Sequence, residues 1–130
     1  MGRSTSRPAW AVASLATLMA VLCSTAYAFV ADTKIAFVSW RDGDSEIYTM
    51  NSDGSGMAQL TLNAVSDELW PAWSPDGSEI AFASTRDDGD FDIYVMDAAG
   101  QNTVRLTDDA ATDWEPAWSP DGTRIAFVSY

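Results

Sequence analysis

The residues of this chain best equipped for chemistry are carboxylates. Asp87-Asp88-Gly89-Asp90-Phe91-Asp92 gathers hard oxygen ligands of the kind Ca²⁺ takes, with Asp87, Asp90 and Asp92 as the metal candidates. The spacing falls short of an EF-hand loop, and the counterpart Asp42-Gly43-Asp44-Ser45-Glu46 is thinner. Paired carboxylates also cleave glycosidic bonds, yet no pair here stands apart from its neighbours. The sequence has no His, the commonest general base and transition-metal ligand. It also lacks a G-x-S-x-G nucleophile elbow. The residue set therefore points to binding rather than turnover. No enzyme activity and no cofactor are expected, Ca²⁺ at the acidic loop apart.

These carboxylates sit within an internal repeat, which decides what positions them. Pro71-Ala72-Trp73-Ser74-Pro75-Asp76-Gly77 recurs 45 residues later as Pro116-Ala117-Trp118-Ser119-Pro120-Asp121-Gly122. Ile35-Ala36-Phe37 returns as Ile80-Ala81-Phe82 and as Ile125-Ala126-Phe127 at the same spacing. Ile47-Tyr48-Thr49-Met50 returns as Ile93-Tyr94-Val95-Met96, and Leu60-Thr61 as Leu106-Thr107, each 46 residues on.

Each unit reads as four short strands. Pro-Ala-Trp belongs to the first, and Ser-Pro-Asp-Gly turns it, with Pro presetting φ and Gly closing a type I turn. Ile-Ala-Phe-Val-Ser makes the second strand, bounded by the charged loop that starts at Arg41 or Arg86. Ile-Tyr-x-Met makes the third, and the fourth ends in Leu-Thr. The runs are apolar at nearly every position, whereas a sheet with one wet face should alternate. Both faces must be covered. Four-stranded sheets repeating every 45 residues and stacked face to face are propeller blades. A β-sandwich would also use short strands, but it gives no reason for a repeat.

The expected fold is all-β, with blades of four antiparallel strands. A partial blade covers about residues 34–62, a full blade about 70–108, and a partial blade about 115–130. That is about 2.3 blades, an open and incomplete propeller, against four to eight in a closed ring. A truncated reading frame or a partial sequence accounts for the shortfall, and self-assembly of short chains is the other route to closure.

Residues 1–28 read as a signal peptide helix. Arg3 and Arg7 precede an uncharged run from Ala9 to Cys23, and Ala26-Tyr27-Ala28 offers a cleavage site. The run is shorter than the roughly 20 residues a membrane-spanning helix needs, so no span is expected after cleavage. Leu22 before Cys23 argues against lipidation. The chain should be periplasmic or secreted. Cleavage removes the only cysteine and two of seven basic residues, leaving five against nineteen acidic ones. Such acidity excludes nucleic acid as a partner and favours cations or a basic protein surface.

At these residues the chain resembles the TolB-type β-propeller repeat, a relative of the WD-repeat blade. The family pattern of P-x-W-S-P-D-G, I-A-F-x-S, R-D-G, I-Y-x-M-D, G and L-T is matched over about residues 34–130, with Arg41-Asp42-Gly43 and Arg86-Asp87-Asp88 at the third element. The resemblance implies a role like that of the TolB propeller in the Tol–Pal system, docking envelope proteins such as the peptidoglycan-associated lipoprotein. The same repeats occur in propellers fused to prolyl-oligopeptidase-type peptidases, so a propeller portion of a secreted peptidase is the alternative, with a carbohydrate-active propeller a third. The α/β domain that precedes the propeller in TolB has no counterpart among these residues.

Strand order places the second-to-third loops and the links between blades at one end. Thirteen of nineteen acidic residues fall there. Arg41, Asp42, Asp44, Glu46, Asp67, Glu68, Arg86, Asp87, Asp90, Asp113 and Glu115 are the candidates for a partner-binding rim. Trp73 and Trp118 should pack between blades, whereas Trp40, Trp70 and Trp114 lie near loops and are placed to meet a partner or a sugar.

Overall fold

The computed structural model describes residues 33–41, 43–87 and 89–130. The expected signal peptide lies outside them, as do Asp42 and Asp88. The described residues form nine strands and no helix: β1 (Lys34–Ser39), β2 (Glu46–Asn51), β3 (Ala58–Gln59), β4 (Glu68–Trp73), β5 (Glu79–Ser84), β6 (Asp92–Asp97), β7 (Val104–Arg105), β8 (Asp113–Trp118) and β9 (Ile125–Ser129). They pair into three antiparallel sheets, ordered β1-β2-β3, β4-β5-β6-β7 and β8-β9. The middle sheet is a whole blade. The first holds the second to fourth strands of a blade, and the last holds the first and second. The open, incomplete propeller expected from the repeat is what the chain forms.

Register repeats with the sequence. Phe37 pairs with Tyr48 in the first blade and Phe82 with Tyr94 in the second, and each ring pair stacks at 5.8 Å. The fourth strand is short because Thr takes over its work. The Ile47 amide donates to Thr61 Oγ1 at 2.8 Å and the Ile93 amide to Thr107 Oγ1 at 3.0 Å, so the Leu-Thr pair extends the ladder past its last regular bridge. The Ser-Pro-Asp-Gly turn is closed from within. Asp76 accepts from the Ser74 hydroxyl and the Ser78 amide, and Asp121 accepts from Ser119 and Thr123 in the same way. Those hydrogen bonds hold both exposed carboxyls down to about 2.

The blades stack through apolar faces. Ile47 of the first blade joins Ile80, Phe82, Tyr94 and Met96 of the second in one buried cluster, with Leu60 and Trp73 against it. Trp118 packs likewise and donates its Nε1–H to the Ala72 carbonyl at 3.1 Å. Approach is tight at Gly100, in the turn between β6 and β7. With φ +78°, it lies so near the preceding blade that a Cβ would sit 2.6 Å from the Leu60 carbonyl oxygen. Only glycine meets both demands.

Candidate functional site

One end of the arc collects the β5–β6 loop, the links between blades and the starts of β4 and β8. The innermost strands are distorted there at matching places. Trp70 (φ 52°) and Glu115 (φ 50°), each just before a Pro, are left-handed, and the pairing of β4 and β8 shifts register at that point. A residue before Pro ordinarily prefers extended backbone, and a left-handed Trp is strained. Two β-bulges in equivalent positions are thus a feature of the repeat, and bulges of this kind re-aim side chains. Trp70 is aimed at Phe91 (5.4 Å, edge on) and Trp114 (5.7 Å), and Trp114 reaches Tyr130 at 5.9 Å. A row of four aromatics spans two blades.

Exposed carboxylates surround this row: Asp67, Asp87, Asp90, Asp108, Asp109 and Glu115. Trp40 is also exposed at this end of the first blade. Trp73 and Trp118 pack between blades as expected, whereas Trp70 and Trp114 lie within β4 and β8 and are half-buried rather than exposed on loops.

Not every rim candidate faces outward. Glu46, Glu68 and Asp113 are buried, which corrects their placement on a partner-facing surface. Each begins a strand and turns inward, and the polar partners of Glu68 and Glu46 come from the same blade or from the link between the first two blades. Glu68 Oε1 accepts from Ser66 (2.8 Å), Ser84 (2.9 Å) and Arg86 (3.4 Å), and Glu46 Oε1 accepts from the Asn63 amide at 2.7 Å. Burial first, and the neighbouring Glu46 carboxyl second, push Glu68 up to about 7. The Oε2 atoms of both are buried without a hydrogen-bond partner.

Asp92 is buried as well, but beside a cation. Arg105 reaches it at 2.6 Å, and the Thr107 hydroxyl donates to it at 3.0 Å. Asp87 accepts from the Tyr94 hydroxyl at 2.6 Å; burial first, and that carboxylate second, drive the phenol well above its usual range. Asp87 and Asp92 thus both turn to Arg105, at 3.9 and 2.6 Å. Among the described residues no three His, Cys, Asp or Glu side chains gather as a metal ion requires. Arg86 and Arg41 serve the blades too: Arg86 lies over Tyr94 at 4.8 Å and Arg41 over Tyr48 at 4.5 Å. Asp44 is half-buried, and Asp67 accepts from Ser45 of the preceding blade.

Sequence reasoning missed the bulges and the buried acids. The acids did leave a trace: Glu46 and Asp92 both open Ile-Tyr strands, and Glu68 and Asp113 both open the innermost strand. An acid repeated at one place in a strand marks a partner within the fold.

Stacked antiparallel sheets of a single repeat, one of them a whole four-stranded blade, with an acidic and aromatic end, define an arc of a β-propeller. The repeats are of the TolB type. The family model described as the TolB beta propeller domain matches residues 67–130. The chain is 44% identical over 55 residues to the Tol-Pal system protein TolB of Desulfosudis oleivorans, a match covering 42% of this chain and 12% of that protein. It is 51% identical over 39 residues to Dipeptidyl-peptidase 5 of Porphyromonas gingivalis, covering 30% of this chain and 6% of the relative. The structure of putative TolB from Agrobacterium tumefaciens superposes with a TM-score of 0.68 at 35% identity, covering 75% of this chain and 34% of that one. The chain thus spans about an eighth or less of these curated relatives and about a third of that solved chain.

Proposed function

We propose that this chain is an exported, non-enzymatic docking module, working in the periplasm or outside the cell, whose acidic and aromatic end receives a basic, envelope-associated protein. The observation that carries this is the row Phe91, Trp70, Trp114 and Tyr130, with Trp70 and Trp114 on the two bulged innermost strands and exposed carboxylates at this end. Trp70, Phe91 and Trp114 are half-buried and Tyr130 is exposed; such rings offer large contact area and attract cations through their faces. The surrounding charge steers a basic partner toward them. Likeness to a Tol-Pal system protein supports an envelope partner, and the absence of His and of a nucleophile elbow from the sequence supports a non-catalytic role.

Titrating the chain with the peptidoglycan-associated lipoprotein of its source, followed by tryptophan fluorescence, tests this reading. Binding should weaken as salt rises. Replacing Asp67 and Glu115 together by Lys should cost about tenfold in affinity, mainly through slower association. Salt-independent binding, or turnover of a peptide or glycoside substrate, would sink the proposal.

A further inference from the structure

Resting on the docking reading above, we propose that the cleft beside Glu46, at the junction of the first two blades, receives an arginine side chain of the basic partner. The cleft holds about 460 Å³ and is lined by Gly43 and Asp44 before β2, Glu46 at its start, and Leu62 and Ala64 in the link between blades. Its acids are not satisfied from within the chain. Glu46 is 1% exposed, and its Oε1 accepts from the Asn63 amide at 2.7 Å. Its Oε2 is buried without a hydrogen-bond partner, and so is Asp44 Oδ2. Buried polar atoms ordinarily have a partner, so two orphaned carboxylate oxygens on residues of one cleft invite a donor from outside.

The repeat shows which donor fits. Asp92 holds the place of Glu46 one blade later and is equally buried, and there the chain answers the acid itself. Arg105 donates from Nη2 to Asp92 Oδ2 at 2.6 Å and from Nε to the Thr107 carbonyl at 2.7 Å. Gln59 stands in the register of Arg105, opposite Tyr48, and it is exposed. The first junction thus keeps the acid of the repeat and lacks its guanidinium.

The link between blades differs in step. Leu62, 81% exposed, borders the cleft together with Ala64, whereas Asp108 takes the place of Leu62 in the second link. Apolar borders beside buried carboxylates match the two parts of a long basic side chain, whose methylenes cover apolar surface while its head stays charged. A guanidinium serves two carboxylates through a fixed planar fork of donors, and an ammonium is a point charge. A metal ion fits less well, because among the described residues no three His, Cys, Asp or Glu side chains group as its ligands.

A fluorescently labelled tetra-arginine peptide, titrated with the full chain and followed by anisotropy, tests the cleft. Glu46→Gln keeps the shape and removes the charge, and it should weaken the peptide about tenfold. Asp44→Asn should act in the same direction. Gln59→Arg gives the first junction the guanidinium of the second, and it should exclude the peptide to a similar degree without lowering the melting temperature. A tetra-lysine peptide should bind the parent less tightly than tetra-arginine. Equal affinity of tetra-arginine for the parent, Glu46→Gln and Gln59→Arg overturns the proposal. If the peptide nonetheless weakens when Asp67 and Glu115 are both replaced by Lys, the docking reading stands without this cleft; indifference to both sets of changes removes both. Ca²⁺ that displaces the peptide from the parent, and no longer binds after Glu46→Gln, would overturn the arginine assignment in favour of a metal.

Discussion

The two junctions between blades solve one problem differently. Each buries two acids between the start of a third strand and the start of the next innermost strand: Glu46 with Glu68, and Asp92 with Asp113. Each is clasped by the same backbone bond, Glu68 amide to Ser45 carbonyl (2.8 Å) or Asp113 amide to Phe91 carbonyl (2.7 Å). The divergence lies on the fourth strand. Arg105 pairs in register with Tyr94, and Gln59 holds that place opposite Tyr48. Arg105 meets Asp92 at 2.6 Å. With Gln59 in that place the first junction has no such cation from its fourth strand; burial beside Glu46 raises Glu68 to about 7, and Arg86 stands 3.4 Å from Glu68. The two junctions thus differ at one repeat position in whether a buried acid is met by a cation from the fourth strand.

Arg105→Gln would break the difference by giving the second junction the fourth strand of the first. It strands Asp92 without its cation in a buried setting, and the expected cost is about 3 kcal/mol, measured by urea unfolding at pH 7. A loss near zero would mean that Thr107 alone suffices for Asp92.

Glu68→Gln probes the proton. The folded protein holds Glu68 protonated up to about 7, against an ordinary value of 4.5, so the folded state binds more protons than the unfolded across that interval. Stability from this group is fully present below about 4.5 and is lost as pH rises through about 7. The melting temperature should therefore fall by several degrees between pH 5 and pH 8, roughly as expected for a domain of this size. The Gln variant should lose that slope and exceed the parent at pH 8. An equal slope in both would place the titration elsewhere.

Gln59→Arg sharpens the contrast from the other side. A guanidinium in the register of Arg105 would reach toward Glu46, favouring the ionised pair. A gain of about 1 kcal/mol is expected at pH 8, with little change at pH 5, checked by the same melts.

Much of the fold is legible in the sequence because a repeat is its own alignment. Pro71 to Gly77 and Pro116 to Gly122 set the phase, and strand order, register and incomplete blade count follow. The site is less legible, for two physical reasons. A charged residue beside a loop is ordinarily solvated, so Glu46, Glu68 and Asp113 read as rim, while the partners of Glu46 and Glu68 include groups sixteen to eighteen residues away in sequence. The bulges are hidden because Trp70-Pro71 and Glu115-Pro116 carry a local preference for extended backbone that the stacked blades override. The acidic loop misleads for a related reason: Arg105, from the next strand, meets both Asp87 and Asp92 at 3.9 and 2.6 Å.

Gly100 has a geometric consequence. It lies at the outer margin of the second blade, against the backbone of the first, where a methyl group has no room. Sheets arranged like slices around a centre close the circle by their wedge angle. A side chain at 100 would pry neighbouring slices apart at the rim, and wider slices fill a circle in fewer pieces. The hydrogen that stands there instead of a carbon takes part in setting how many slices a full turn requires.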